Sequence, residues 1–562
     1  MDIGQFLLKR KLINQHQLQQ ARESGADMLE HLVTSGCVER DDALAVIAEE
    51  MGVEFCDLRN TEIDLSLLDT FPQKIIYRQT LFPVKAEEDT IVVATDKPFD
   101  FYPLDEIAAA TGMAVKAVLA DRVEIAKLIK THLGVGGETI EGLLERRVEE
   151  DGVELLEELE TDGSELSEMA QEASVVRLVN EVLLEAIESR TSDVHIESQN
   201  SGIVIRYRID GVLHSQPVPP EINHFQAAII SRLKIMAKLN IAEKRLPQDG
   251  RIKLKVKGRE VDVRVSVIPM IHGEGLVLRI LDKGSMKFEL KSLGMGDATY
   301  EAFSKLIRMP HGIVLVTGPT GSGKTTTLYS GLIEINTPDI KIITTEDPVE
   351  YQLEGINQIQ VHQKIGFSFA HSLRSILRHD PDVVLVGEIR DLETAENAIQ
   401  ASLTGHLVFS TLHTNDAAGA YTRMVDMGVE PFLVASTVEA VMAQRLVRRI
   451  CPNCAEAYTP TKKDLPADFP WEKLDGKKLY RPRGCRECRD FGYRGRLGVY
   501  ELLITTERIQ NLAQERASAW ELKKAALDEG MLTLRDDGWD KVIAGSTSIE
   551  EIQRISKAER AR

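Results

Sequence analysis

Residues 313–335 read IVLVTGPTGSGKTTTLYSGLIEI. The run IVLV is the pattern of a buried strand, and TTTLYSGLIEI has apolar residues at helical spacing, so a glycine-rich loop sits between a strand and a helix. That order is the one a phosphate-binding loop requires. Gly318, Gly321 and Gly323 let backbone N–H groups close around an anion, and the start of the helix adds its dipole. Pro319, Thr320 and Ser322 complete the turn. Lys324 can reach the β and γ oxygens of a nucleotide, Thr325 can ligate Mg²⁺, and Thr326 continues the helix. The expected ligands are therefore ATP and Mg²⁺.

Two further strands carry acid at their ends. PDVVLVGEIRD (residues 381–391) ends in Glu388, placed to orient a Mg²⁺ shell or an attacking water; Gly387 stands where an aspartate often precedes such a glutamate, so Mg²⁺ contact from this strand is expected to be indirect. IITTEDPVEY (residues 342–351) ends in Glu346, Asp347 and Glu350, and a carboxylate beside the γ-phosphate can take or orient the proton of water, which hydrolysis demands. LTGHLVFSTLHTN (residues 403–415) puts His406 and His413 at the two ends of another strand, where they are candidate γ-phosphate sensors. Apolar strands alternating with helices beyond Gly312 predict a mostly parallel α/β core.

Downstream, Cys451 and Cys454 form CPNC, and Cys485 and Cys488 form CREC. Two C-x-x-C knuckles suit a closed, tetrahedral structural Zn²⁺ site, whereas a thioredoxin-like redox pair needs only one. The 30 residues between Cys454 and Cys485 exceed the span of a compact zinc ribbon, so TPTKKDLPADFPWEKLDG is expected to bulge outward. The other two cysteines, Cys37 and Cys56, read as core residues. Six cysteines so clustered in 562 residues argue against a disulfide framework and for a reducing, cytoplasmic setting.

Upstream, IVIRYRIDGVL (residues 203–213) and RIKLKVKGREVDVRVSVIP (residues 251–269) alternate apolar and polar residues around Asp210-Gly211 and Lys257-Gly258, the signature of hairpins in a half-exposed antiparallel sheet. Residues 136–173 are different. Fourteen acidic residues against Arg146 and Arg147 give this stretch −12 of the net charge of −20, and a flexible, partly helical linker is expected there. The acidic total argues against a chain that coats nucleic acid. No apolar run approaches the roughly 20 residues of a membrane span, and the opening MDIGQFLLKRKLI does not read as a secretory signal. Residues 1–55 carry a weak repeat in which Leu7, Leu12 and Ile13 recur as Leu32, Cys37 and Val38, predicting two similar helical hairpins. A small α+β unit follows, with a strand in TIVVATDKP and a helix in VEIAKLIKTHL.

Taken in order, GPTGSGKT, ITTEDPVEY, DVVLVGEIRD and LTGHLVFSTLHTN resemble the secretion ATPases of type II secretion and type IV pilus assembly. SDVHIE, AEKRLPQDGR, DVRVSVIPMIHGEGLVLRIL and AQRLVRRICPNC extend the resemblance over residues 174–555. It implies a multidomain α/β fold: an N-terminal α/β docking module (1–135), the acidic linker (136–173), an arginine-bearing, PAS-like α+β domain (174–290), and a RecA-like P-loop ATPase domain (291–562) that includes a tetracysteine zinc subdomain (445–500). It also implies a homo-hexamer on the cytoplasmic side of the inner membrane, held by a membrane platform protein and a bitopic docking partner. Arg264 and Arg279 match the family's arginine fingers, supplied to a neighbour's nucleotide, with Arg206, Arg208 and Arg251 in reserve. The ligand-binding form of the N-terminal module opens with Arg-Leu-Gly; Asp2-Ile3-Gly4 and Lys11 depart from it, so docking rather than cyclic di-GMP binding is carried over. The implied function is ATP hydrolysis driving pseudopilus assembly and protein export, with a pilus extension motor as the sister reading and a nucleotide sensor that does no work as the alternative from another class.

Overall fold

The computed structural model describes residues 3–23, 28–72, 75–76, 79–87, 89–133, 153–155, 172–282 and 288–556. They form two compact units divided between Asp282 and Lys283. The first begins with four short helices, Ile3–Lys9, Gln15–Glu23, Met28–Thr34 and Arg40–Met51. The repeated positions meet here: Leu7, Ile13 and Leu32 are buried in one small core, with Leu12, Cys37 and Val38 packed against it. Strands β1 (Leu81–Glu87), β2 (Thr90–Thr95) and β3 (Ala114–Leu119) follow. The parallel β2–β3 pair needs a crossover, and helix Phe101–Thr111 supplies it.

The rest of this unit is a seven-stranded antiparallel sheet made of β4 (Val153–Leu155), β5 (Thr191–Gln199), β6 (Gly202–Ile209), β7 (Val212–Gln216), β8 (Gln248–Val256), β9 (Arg259–Met270) and β10 (Gly273–Asp282), in the order β4-β8-β9-β10-β5-β6-β7. Of the acidic stretch, β4 lies along the edge of β8; most of the remainder is outside the described residues. Strict alternation decides the faces. Ile203, Ile205, Tyr207 and Ile209 are buried, and the Tyr207 hydroxyl donates to Val182 O of helix Ala173–Glu188 at 3.0 Å, while Arg206 and Arg208 point the other way. Both predicted hairpin turns form, with Asp210-Gly211 and Lys257-Gly258 in left-handed conformations that match strand twist.

The second unit is built on β11 (Gly312–Thr317), β12 (Ile342–Glu346), β13 (Asn357–Gln360), β14 (Val383–Val386), β15 (Leu407–Leu412), β16 (Val438–Ile450) and β19 (Tyr493–Ile504), with a separate pair, β17 (Ala455–Tyr458) and β18 (Leu479–Pro482). The large sheet has the order β13-β12-β14-β15-β11-β16-β19, and all its pairs are parallel except β16–β19. Along β11, Ile313 and Leu315 enter one apolar core and Val314 and Val316 the other. A strand covered on both faces must be apolar throughout, which is why IVLV shows no alternation.

The segment between the cysteine pairs corrects the sequence expectation. Instead of bulging out, it folds back on the main core: Phe469 and Leu474 are buried, the Phe469 ring meets Trp539 at 5.3 Å, and Asp468 accepts from the Arg535 guanidinium and from Trp539 Nε1. Two aromatic and aliphatic anchors in PADFPWEKL bury more apolar surface than an extruded loop could.

Candidate functional site

The phosphate loop leaves β11 and enters helix Lys324–Ile335, whose N-cap is Gly323. Gly321 and Gly323 have φ of 78° and 88°, and Gly318 has no room for a side chain, since a Cβ there would lie 2.5 Å from Gln444 O and 2.6 Å from Ser322 Oγ. Three features of the loop fit a nucleotide's phosphates. Ser322 Oγ is buried with no partner among the described residues. Lys324 Nζ donates to Gly318 O at 2.8 Å and Pro319 O at 3.2 Å, folded over its own loop. Burial pushes the Lys324 ammonium down to about 8, opposed by the Glu388 carboxylate and reinforced by Arg445, so a bound anion would stabilise this desolvated cation. Thr325 is exposed on the first helical turn, where it could ligate Mg²⁺.

Glu388 follows β14 and lies at the same end of the sheet. It pairs with the Arg390 guanidinium and with His413 Nε2 at 3.2 Å. Gly387 sits close to its neighbours: a Cβ there would stand 3.2 Å from Thr345 O and 3.3 Å from the Phe369 ring, a tight fit beside β12, and Glu388 is the acid that follows this strand.

The two histidines are separated. β15 runs parallel to β11, with Leu407 beside Gly312 and Leu412 beside Thr317. His413 therefore arrives at the loop, whereas His406 sits about 20 Å away at the opposite edge, at about 3.3 Å per residue, with Nδ1 held by Ala401 O at 2.9 Å and Thr404 Oγ1 at 3.1 Å. A shared sensor role cannot be served from both ends of one strand.

Glu346 is 4 % exposed, with Thr344, Gln358 and Tyr329 all donating to its carboxylate. Burial pushes its pKa up, and these donors pull it back. Glu350, four residues on, is half-buried.

Gln444 and Arg445 on β16 were not singled out from the sequence. Gln444 Oε1 accepts from Thr327 Oγ1 at 2.8 Å, and Arg445 reaches Asn415 O at 2.9 Å and Gln444 O at 3.0 Å, so both line the floor of the loop. The available signal was a polar pair breaking the apolar run of VEAVMAQRLV.

In the other unit, the strand register sets Arg251, Arg264, Arg279, Asp193 and Arg208 in one row across β8, β9, β10, β5 and β6. Arg279 Nε donates to Asp193 Oδ1 at 2.9 Å, Arg208 approaches Asp193 at 3.7 Å, and Arg251 pairs with Asp262. Arg206 lies on the same face and pairs with Glu197.

The four cysteines converge. Sγ–Sγ distances are 3.9 Å for Cys451–Cys485, 3.8 Å for Cys454–Cys488 and 3.7 Å for Cys485–Cys488, and all four sulfurs lie within 4.8 Å of one another. A tetrahedron with Zn–S bonds of about 2.3 Å has edges of about 3.8 Å, so the set fits a zinc ion. The N–H groups of Cys485 and Gly492 each point at Cys488 Sγ from 3.2 Å, which favours a thiolate.

Comparison with known proteins gives matches across nearly the whole chain. A family model described as "Type II/IV secretion system protein" matches residues 168–554, and one for the MshEN domain matches residues 51–139. The type IV pilus assembly ATPase PilB of Myxococcus xanthus is 40 % identical over 557 residues, 98 % of each chain. The type II secretion system protein E of Xanthomonas campestris pv. campestris is 43 % identical over 573 residues, 99 % of this chain and 98 % of its own. Among solved structures, the Yersinia pseudotuberculosis ATPase DotB has a TM-score of 0.51 at 20 % identity, covering 73 % of this chain and 99 % of that one, a likeness of fold.

Proposed function

The chain belongs to the type II/IV secretion system protein family, and on that premise we propose that it is an ATP-hydrolysing motor, a ring of six copies that powers pseudopilus assembly and protein export in type II secretion. The observation that carries this reading is the phosphate loop itself, with Lys324 and Thr325 on one side and the Glu388–His413 pair on the other. The loop amides and Lys324 hold the phosphates; Thr325 and, through water, Glu388 hold the metal. Mg²⁺, when bound, neutralises charge on the β and γ oxygens. The acids of the turn that follows β12, Asp347 and Glu350, together with Glu388 after β14, orient the attacking water, and His413, tied to Glu388, reads whether the γ position is filled.

Arg264 and Arg279 are the donors we assign to transition-state charge, reaching the nucleotide of a neighbouring copy. The four cysteines hold a structural Zn²⁺. The motor works at the cytoplasmic face of the inner membrane through a platform protein and a bitopic docking partner, the latter bound by the N-terminal module. No helix among the described residues is long and apolar enough to cross a membrane.

A type IV pilus extension motor is the second reading, favoured by the full-length match to a pilus assembly ATPase. Type II secretion is placed first on the slightly higher identity of the secretion relative, 43 % against 40 %. The test is ATP turnover by the purified oligomer with and without Lys324→Ala. Loss of turnover supports the motor; turnover that survives the substitution refutes it. Loss of export but not of pili in a deletion strain decides between the two machines.

A further inference from the structure

At the end of β12 one buried carboxylate accepts three side-chain hydrogen bonds. Glu346 Oε1 receives Thr344 Oγ1 at 2.6 Å and Gln358 Nε2 at 3.1 Å, and Oε2 receives the Tyr329 hydroxyl. A carboxylate has about four lone-pair sites. Three are filled, and the group is buried, which leaves at most one site for a water molecule.

Those donors lead somewhere. Tyr329 lies on the helix that starts with Lys324 and Thr325, one turn beyond Thr325 and wholly buried, so its hydroxyl moves with the residues that hold phosphate. Burial and the Glu346 carboxylate raise the pKa of the Tyr329 hydroxyl, and the backbone N–H groups of Glu350 and Tyr351 oppose that shift. Gln358 also donates to Tyr351 O at 3.0 Å and accepts from Leu353 N at 2.8 Å. Phe288 packs edge-on against both Tyr329 and Tyr351, at 5.6 and 5.5 Å, which fixes the tyrosine ring. The turn after β12, with Asp347 and Glu350, is thereby stapled to the phosphate-loop helix.

We propose that Glu346 and Tyr329 are a positioning couple that keeps the turn at 347–353 in register with the phosphate loop, and that Glu346 acts through this geometry rather than by accepting a proton. The proposal rests on the hydrolysis reading above. Burial raises the pKa of Glu346; Thr344, Tyr329 and Gln358 oppose that shift, and the Glu350 carboxylate adds to it. From the other side β14 is followed by Gly387, where a Cβ would stand 3.4 Å from Glu346 Cα.

The test compares full-length wild type with Tyr329→Phe, Glu346→Gln and Glu346→Ala in ATP turnover across pH 5.5 to 9, and in amide hydrogen exchange over residues 350–353. Glu346→Gln can turn its NH₂ to the tyrosine oxygen and its carbonyl to Thr344 and Gln358. It should keep kcat within about fivefold, and the pH midpoint of the wild type, as the other hydrogen bonds persist. Tyr329→Phe should lower kcat about tenfold with KM within about twofold, and speed exchange roughly three- to tenfold, the effect of one lost hydrogen bond, and Glu346→Ala, which removes three, should do both at least as strongly. If Glu346→Gln falls to the Lys324→Ala background and loses the acid limb of its profile, Glu346 is the proton acceptor and the proposal is wrong. Wild-type kcat and exchange in both Tyr329→Phe and Glu346→Ala would equally overturn it. Exchange is read without turnover, so it judges the couple even if Lys324→Ala shows that the hydrolysis reading has failed.

Discussion

Arg279 lies directly opposite Arg264 across the β9–β10 ladder, and Arg264 directly opposite Arg251 across β8–β9. Like charges facing each other across strands are destabilising. Asp193 and Asp262 offset part of that cost, engaging Arg279 and Arg251. A row of guanidinium groups on a half-exposed sheet face is thus suited to meet an anion from outside the unit. Replacing Arg264 or Arg279 by alanine is expected to lower kcat by about 10³-fold or more, as for arginine fingers elsewhere, while the affinity of the phosphate loop for nucleotide stays within a few-fold. Steady-state turnover paired with equilibrium binding of a fluorescent nucleotide checks this.

The histidine box divides by strand geometry. His413→Ala removes the 3.2 Å contact to Glu388 and should cut kcat by about 10- to 100-fold, in the range of a lost positioning or acid–base contact. His406→Ala removes the hydrogen bonds to Ala401 O and Thr404 Oγ1 at the far end of the strand and should leave nucleotide affinity within about twofold, since changes away from a site seldom matter. Equal loss of affinity in both variants would contradict the assignment of the loop end to His413 alone.

For the cysteine cluster, elemental analysis of chain purified without metal-affinity resin is expected to find about one zinc per chain. Cys488→Ser should abolish that zinc and lower the melting temperature of the second unit by several degrees, because closed structural sites contribute folding energy directly. Four freely titratable thiols in metal-free, equally stable protein would exclude a structural site.

Much of this was legible in the sequence. The strand–loop–helix order around Lys324, the two glycine turns at Gly211 and Gly258, and the cysteine pairs depend on local spacing, and local spacing survives in the fold. What could not be read depended on pairing between distant strands. Gln444 joins the phosphate loop because β16 lies beside β11, His406 leaves it because β15 is parallel, and Glu346 is tied to Tyr329 on the phosphate-loop helix by a hydrogen bond between side chains 17 residues apart. The direction of the inter-cysteine segment was set by Phe469 and Leu474, two apolar residues whose partners lie some seventy positions downstream around Trp539.

The closing helices supply a pH test. Burial raises the pKa of Glu551, but Arg554 and Arg448 overcome that and hold it at about 2. A carboxyl depressed in the folded state stabilises above its unfolded pKa and loses that contribution as pH falls toward the folded value, here between about 4.5 and 2. The contribution is on the order of 3 kcal/mol. The destabilisation caused by Glu551→Gln in urea unfolding should therefore be largest near pH 6 and shrink toward pH 2.5; a pH-independent difference would contradict the pairing.

In the proposed ring, one copy's phosphate loop is completed by another copy's arginine row. Rings assembled from Lys324→Ala and Arg264→Ala chains, each inactive alone, test it most directly. The account predicts that mixing restores a measurable fraction of ATP turnover, because some interfaces pair an intact loop with an intact arginine. No recovery in rings shown by mass to contain both chains would contradict it.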